Sequence, residues 1–468
     1  MFYDAIFVYP PITEGKKTNF SFAPLGVIYV ATFLKQNGFN VKFIDAVINN
    51  LTNKEIVDII IKEKPLILGI SSMTCQIVNS IKIAEGIKSL DSNIKIAIGG
   101  AHISSTIDEI YKFSSCSDFL IYGEGEYTFN ELVKNIKEDE CDFYAINGLV
   151  FKDAKNKVTV NPPREPINDL NSLPYPDLSL ADIKKYESFY AKSKPFTGII
   201  ASRGCPFSCT FCDAYATHGR KLRLRSARNI VDEMEHHLNT SGIKQFMIKD
   251  STFTINKKWV QDICNEIISR KMNMFWTCNT RVDMVDKKLL KLMMKAKCYM
   301  IQFGIESGSQ KVLDKMRKGI TVEQIKDCIK ICGKVGMDTT GNFMIGNPGE
   351  DEESVRKSID LAKNLDFDFV SFGVTTPYPN TELYEWALEN NLLNDGYWYM
   401  KDMKFLVNQS ISGYINHPKL PVERQIELCK RANREFYFRA KYVFYQLFKL
   451  RSDNIIRKFK ATLELIKN

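Results

Sequence analysis

A chain of 468 residues, 44% hydrophobic and 25% charged, is long enough for two or three cores and has the balance of a soluble globular protein. No stretch reaches the ~20 uninterrupted apolar residues of a membrane span. The Met1 to Pro10 stretch carries an acid at Asp4 and runs into a strand pattern, so it does not read as a signal peptide, and the expected location is the cytoplasm. The formal charge of +9 is spread as lysines along the whole chain, which reads as a solvated surface and not as a nucleic-acid site.

Residues 1–140 alternate short β-branched runs with helical patterns, the sequence form of a parallel sheet covered by helices on both faces. Five strands are predicted, at Ala5–Tyr9, Val41–Ile44, Leu66–Ile70, Ile94–Ile98 and Phe119–Ile121, making a Rossmann-like or flavodoxin-like domain. Ligands of such sheets bind outside the carboxyl ends of the strands. The candidates there are Pro24 and Gly26 after the first strand, Ser71, Ser72 and Met73 after the third, Gly99, Gly100 and His102 after the fourth, and Gly123, Glu124 and Glu126 after the fifth. No Gly-x-Gly-x-x-Gly opens a helix, which argues against a nicotinamide or flavin dinucleotide. Paired glycines instead let a bulky ligand lie close against the backbone.

Residues 141–195 read as a hairpin and a linker. The hairpin is predicted around Leu149–Phe151 and Val158–Val160, and the runs Pro162-Pro163-Arg164-Glu165-Pro166 and Leu173-Pro174-Tyr175-Pro176 cannot continue a helix or a central strand.

A second alternating series occupies residues 196–395, with strands predicted at Thr197–Ala201, Gln245–Ile248, Met274–Cys278, Tyr299–Phe303, Gly341–Ile345 and Phe369–Gly373. The first runs into Cys205, Cys209 and Cys212, three thiols in the spacing Cys-x-x-x-Cys-x-x-Cys with Phe211 before the last. Thiolates favour iron–sulfur clusters or zinc. A tight loop carrying three of them faces three corners of one cubane and leaves the fourth iron to an outside ligand. A zinc site closes with four ligands, and His218 lies close enough in sequence to be the fourth. The cysteines Cys75, Cys116, Cys264, Cys278, Cys298, Cys328, Cys332 and Cys429 lie in apolar segments and read as buried thiols. At the later strand ends stand Asp250, a ligand group or a helix N-terminal anchor, Arg281, whose fork suits a carboxylate, Glu306 and Gly346.

Residues 396–468 read as a helical C-terminal region rich in aromatic and basic residues: Phe436-Tyr437-Phe438-Arg439, Tyr442-Val443-Phe444-Tyr445 and Leu447-Phe448-Lys449. Three readings stay open: a lid, a basic amphipathic surface meeting a membrane, and a packed helix with a solvated basic face.

The cysteine spacing and the ordered strand-end turns resemble the radical S-adenosylmethionine (SAM) enzymes, and residues 1–140 resemble the cobalamin-binding domain that precedes the barrel in one large branch of that family. The resemblance implies an α/β fold: a Rossmann-like cobalamin-binding domain, a partial six-stranded β/α barrel and a helical C-terminal extension. It implies a 4Fe-4S cluster on Cys205, Cys209 and Cys212, with SAM chelating the open iron and contacted by Phe211, Asp250, Arg281, Glu306 and Gly346. Catalytic groups of barrels sit at such strand ends. The second-strand turn of this branch usually reads Asp-Asp-x-Phe, and here Lys249 takes the first place. The Asp-x-His-x-x-Gly motif of methionine-synthase-type domains is absent, so cobalamin is expected without a protein imidazole ligand, and His102 reads as a hydrogen-bonding loop residue. The activity implied is formation of a 5'-deoxyadenosyl radical and methylation of an unactivated carbon. The alternatives are an oxidative cyclase or rearrangement enzyme without methyl transfer, and a non-catalytic zinc-binding interaction protein. The expected partners are a small-molecule or natural-product substrate and an electron donor such as flavodoxin or ferredoxin.

Overall fold

The computed structural model describes residues 2–15, 21–140, 142–188, 190–393, 395–401, 414–440 and 442. They form two compact units: Met1–Tyr186 with Asp213–Arg223 and Tyr399–Val407, and Glu187–Cys212 with Leu224–Trp398 and Asn408–Asn468.

The first unit is built on one sheet of seven strands: β1 Ala5–Tyr9, β2 Val41–Asp45, β3 Ile67–Ser71, β4 Lys95–Gly99, β5 Phe119–Ile121, β6 Leu149–Lys152 and β7 Val158–Val160, in the order β2-β1-β3-β4-β5-β6-β7. β1 to β5 pair in parallel, and their centres are near-continuous apolar runs because helices cover both faces. The helix Gly125–Lys137 buries Phe129 against Phe7 of β1, with ring centroids 4.7 Å apart. The hairpin expected in the linker is part of this sheet: β6 pairs antiparallel with β5 and β7 with β6. Leu149, Val150 and Phe151 are buried, so this strand is covered on both faces, which is why the unit runs on to Tyr186 rather than ending near residue 140. Tyr186 itself is anchored through its hydroxyl, 2.8 Å from Asp45.

In the second unit, β8 Phe196–Ile199 leads to two short strands, β9 Ser202–Arg203 and β10 Arg223–Leu224, and then to β11 Gln245–Ile248, β12 Phe275–Thr280, β13 Cys298–Glu306, β14 Asp338–Ile345 and β15 Phe369–Val374. Six of these form a parallel sheet in the order β15-β14-β13-β12-β11-β8, each strand beside its neighbour in the chain, so the winding runs one way and leaves β8 and β15 as edges. This is the open barrel.

The β15 edge is capped by side chains of the helix Val422–Tyr437. Tyr437 Oη accepts the N–H of Val370 at 3.0 Å and donates to its carbonyl at 2.6 Å. Asn433 does the same for Phe372, at 3.1 and 3.2 Å. Exposed strand edges recruit other chains, and here the groups that would do so are satisfied. Asn433→Leu leaves the buried Phe372 N–H unpaired, its carbonyl keeping the Cys429 thiol as a donor, and is expected to cost about 2 kcal/mol, read as a lower thermal midpoint with more aggregation. An unchanged midpoint would show the cap to be dispensable. Phe436, Tyr437 and Tyr442 are buried while Phe438 is 68% exposed, which fits the packed-helix reading of this segment. The runs Val443-Phe444-Tyr445 and Leu447-Phe448-Lys449 lie outside the described residues.

Candidate functional site

The cysteine loop leaves β9 through Gly204 and carries Cys205, Cys209 and Cys212, all half-buried. Its backbone is held at Thr210, whose N–H donates to the Met316 carbonyl at 3.1 Å and whose carbonyl accepts from Leu383 N–H at 2.9 Å. Phe211 packs on the apolar cluster of Leu383, Ala387, Leu392 and Ile415. Phe207 lies under the Arg281 guanidinium, 3.9 Å from its ring centre.

The strand-end charges expected to meet SAM are instead bound within the chain. Asp250 is 3% exposed and accepts from Ala201 N–H at 2.8 Å and Ser202 Oγ at 2.6 Å, so it fixes the entry to the cysteine loop. Burial pushes its carboxyl up to about 6. Arg281 is also buried. Its fork is taken by Asp283, at 3.0 and 2.8 Å, and it donates to the carbonyls of Lys318 and of Gly319, the latter at 3.2 Å. Glu306, at a register shift in β13 and with φ of 65°, pairs with Lys318 Nζ at 2.7 Å. A Cβ on Gly304 would meet both partners, at 2.4 and 2.8 Å, so the pair lies across the face of the sheet that Gly304 leaves bare. A charge kept from water must be paired, and these carboxylates and the guanidinium have found partners in the chain.

Lys318 was not singled out by the sequence, because its role depends on a partner twelve positions away and carries no local signal. Burial pushes the Cys209 thiol up, Lys318 and Arg281 pull it down, and Glu306 and Cys205 push it up again. The charged groups around the loop are therefore felt at its central thiol.

Gly346, expected against adenine, has Gln425 of the Val422–Tyr437 helix on its open face, where a Cβ would lie 2.3 Å from Gln425 Oε1. The turn is closed by Glu350, which accepts from Gly346 N–H at 2.7 Å and Asn347 N–H at 3.0 Å. Burial pushes the Glu350 carboxyl up to about 7. Because this lies above the unfolded value, its contribution to stability is full below about pH 4.5 and is lost as the pH rises through about 7. Glu350→Gln keeps the acceptor and removes the titration. Thermal melts should show the wild-type midpoint falling from pH 5 to 8 with a flatter profile for the variant, and equal slopes would rule this account out.

The donor set fits an iron–sulfur cluster: three soft thiols on one backbone-anchored loop, with cations beside the middle one. Among the described residues no three His, Cys, Asp or Glu side chains are gathered into a metal site. His218 does not join them. Its Nδ1 lies 3.1 Å from Glu124 Oε1 within the first unit.

In the first unit the glycine-marked edge has a mixed character. Gly26 and Gly123 have open space where a Cβ would project, and Met73 is 36% exposed, which suits a broad ligand lying on the edge. Pro24 opens the helix Leu25–Gln36. Gly100 has φ of 103°, and a Cβ there would lie 2.7 Å from the Ser72 carbonyl oxygen, so only glycine fits. Ser71 and Gly99 are paired strand ends, and Ser72 is buried, with its Oγ accepting from Ser80 at 3.0 Å.

Two of the polar candidates on this edge are buried and engaged within the chain. Glu124 is buried and gripped by the Arg223 fork at 2.9 and 2.8 Å and by Ile167 N–H at 2.7 Å, as a structural anion. His102 is buried, with Nδ1 3.3 Å from Thr74 Oγ1 and its ring edge-on to Tyr399. Desolvation pulls it down to about 3, so it is neutral. Glu126 is buried in the first turn of its helix. The edge thus fits cobalamin held by backbone and shape, without a ligating imidazole.

Two α/β units, one with a broad glycine edge and one an open barrel carrying three thiols at its mouth, define a cofactor-dependent enzyme. Residues 199–362 match the model of the radical SAM superfamily, and residues 15–133 that of the B12 binding domain. The chain is 33% identical to a protein of Pyrococcus horikoshii named as an uncharacterized methyltransferase, over 94% of each. It is 28% identical to the anaerobic magnesium-protoporphyrin IX monomethyl ester cyclase of Rubrivivax gelatinosus, covering 81% of this chain and 69% of that one. It shares its fold with the radical SAM methyltransferase TsrM of Kitasatospora setae, solved with cobalamin and a 4Fe-4S cluster bound, at a TM-score of 0.67 and 19% identity over 83% of this chain and 75% of that one. The chain belongs to the radical SAM superfamily, in the branch with a B12-binding domain ahead of the barrel, whose cofactors are a 4Fe-4S cluster, SAM and cobalamin. Membership overturns the zinc-binding alternative.

Proposed function

We propose that this enzyme is a cobalamin-dependent radical SAM methyltransferase acting on an unactivated carbon of a small molecule. The observation that carries the reading is the pairing in one chain of a B12-binding match and a radical SAM match, in a protein that aligns along nearly its whole length with a methyltransferase-named relative. When bound, the cluster supplies the electron that divides SAM to a 5'-deoxyadenosyl radical and cobalamin supplies the methyl group. The chain's own part is to hold and shield. Cys205, Cys209 and Cys212 carry the cluster, Asp250 and Arg281 fix the loop that bears them, and the Glu306–Lys318 pair lies near Cys209.

In this reading Gly26, Gly99, Gly100 and Gly123 form the cobalamin edge. The residues between the cobalamin-binding domain and the barrel act as the connector, from about 161 to 195. A flavodoxin or ferredoxin is the electron donor and the cytoplasm the location. Among the described residues no helix is long and apolar enough to cross a membrane, and any membrane contact is peripheral, through the basic C-terminal region.

The cyclase relative favours a second reading, oxidative cyclisation without methyl transfer. Anaerobic reconstitution followed by assay with SAM, reductant and cobalamin separates the two once a substrate is supplied. Retained cobalamin with both 5'-deoxyadenosine and S-adenosylhomocysteine supports methyl transfer. 5'-Deoxyadenosine alone, on substrate turnover, supports cyclisation.

A further inference from the structure

One face of the open barrel is polar in its middle and apolar at its floor. Along β13, β14 and β15 the residues Phe303, Phe343 and Phe372 are buried, the last two stacked at 4.6 Å, while Gln302, Asn342 and Ser371 between them are half-exposed and face the other way. Asn279 of β12 lies in register with Gln302, and Asn342 with Ser371, while Gln302 faces Thr340 and Asn342 faces Gly304 across β13 and β14, so the polar row steps by two residues between these strands. Lys249 follows β11, which pairs Ile248 with Cys278, so it stands opposite Asn279. Its N–H still bonds to the Ile199 carbonyl at 2.9 Å, which keeps the strand extended there.

Beneath this row the same face is closed by Met300 and Phe369, with Tyr190 wedged on Phe369 at 5.3 Å. Above it, on the side Gly304 leaves bare, lies the Glu306–Lys318 pair. The side chains of Asn279, Gln302, Asn342 and Ser371 have no hydrogen-bond partner among the described residues.

We propose that this lumen binds a substrate bearing a carboxylate or phosphate, with Lys249 against the anion and the amides of Asn279, Gln302 and Asn342 and the hydroxyl of Ser371 around it. The inference rests on the methyltransferase reading and names the substrate class it left open. An apolar lipid chain covering this row would strand the amides, whereas an oxyanion with neighbouring hydroxyls satisfies them. A lysine donates to an anion as a compact point charge, and the family's usual Asp at its place would repel one. Burial pulls the Lys249 ammonium down to about 8, and an anion beside it would raise it again.

The carboxylate of SAM has the same chemistry, so the test separates the two sources. The reconstituted full chain, saturated with SAM, is titrated with inorganic phosphate by calorimetry, for the wild type, Lys249→Met, Lys249→Arg and Asn342→Asp. Phosphate should bind the wild type and Lys249→Arg, and bind Lys249→Met and Asn342→Asp roughly tenfold or more weakly, the size of one charge-assisted contact. SAM affinity should change by much less in the same variants. Absence of phosphate binding to the wild type overturns the proposal, as does equal binding by Lys249→Met. A loss of SAM affinity as large as that of phosphate assigns the row to SAM and overturns it too. In those cases SAM cleavage by the wild type leaves the family reading intact, whereas a wild type that holds no cluster and cleaves no SAM overturns both.

Discussion

Arg281→Lys is expected to lower the thermal midpoint and to strip much of the iron from the reconstituted protein. The guanidinium joins three elements at once: Asp283 through both carboxylate oxygens, the backbone at Lys318 and Gly319, and the Phe207 ring of the cysteine loop. A lysine has no planar fork, so it holds at most one of these contacts and leaves the half-buried Asp283 carboxylate without its second bond. Breaking a buried pair costs about 3 kcal/mol, roughly 6–12 °C in a unit of this size. The cysteine loop would then lose its support at Phe207. Iron and sulfide content per chain, read beside the melt, checks the claim, and full cluster loading at an unchanged midpoint would remove Arg281 from any positioning role.

Cys209→Ala is expected to abolish SAM cleavage, by about three orders of magnitude or more, while leaving the fold nearly untouched. The side chain is half-buried and its removal opens no core cavity, so the stability change should stay within about 1 kcal/mol. A cubane held by two thiolates is not retained in a defined geometry, and the reductive step loses its electron source. The iron–sulfur absorption band and the yield of 5'-deoxyadenosine are the measurements. A variant that keeps both would mean that Cys209 is not a cluster ligand.

The strands were legible because buried parallel strands leave near-continuous apolar runs bounded by glycine and polar turns. Ala5–Tyr9, Phe119–Ile121 and Gln245–Ile248 fall where the pattern places them. Strand ends were legible as positions but not as roles. Asp250, Arg281, Glu306 and Glu124 stand at the expected turns, yet each is bound to a group from another part of the chain: Ser202, Asp283 and Lys318, Lys318 again, and Arg223. Residue type at a turn says that a charge is there, and only the fold says what neutralises it. The same limit hid Gln425, which closes the Gly346 turn from far along the chain. The cysteine loop was readable because its ligands sit within one short segment.

The path of the chain has a consequence for how the protein is made. The first unit is assembled from three separate stretches of sequence, the second of which lies just after the cysteine loop. A fragment ending near residue 195 would lack Arg223 and His218, two of the groups that hold the buried Glu124. During synthesis the N-terminal sheet therefore emerges from the ribosome well before its own counter-charge does. It must wait, partly finished, until the loop destined for the cluster has also been translated. Gene fusions or domain swaps cut at the proline-rich connector would separate a sheet from the arginine that completes it.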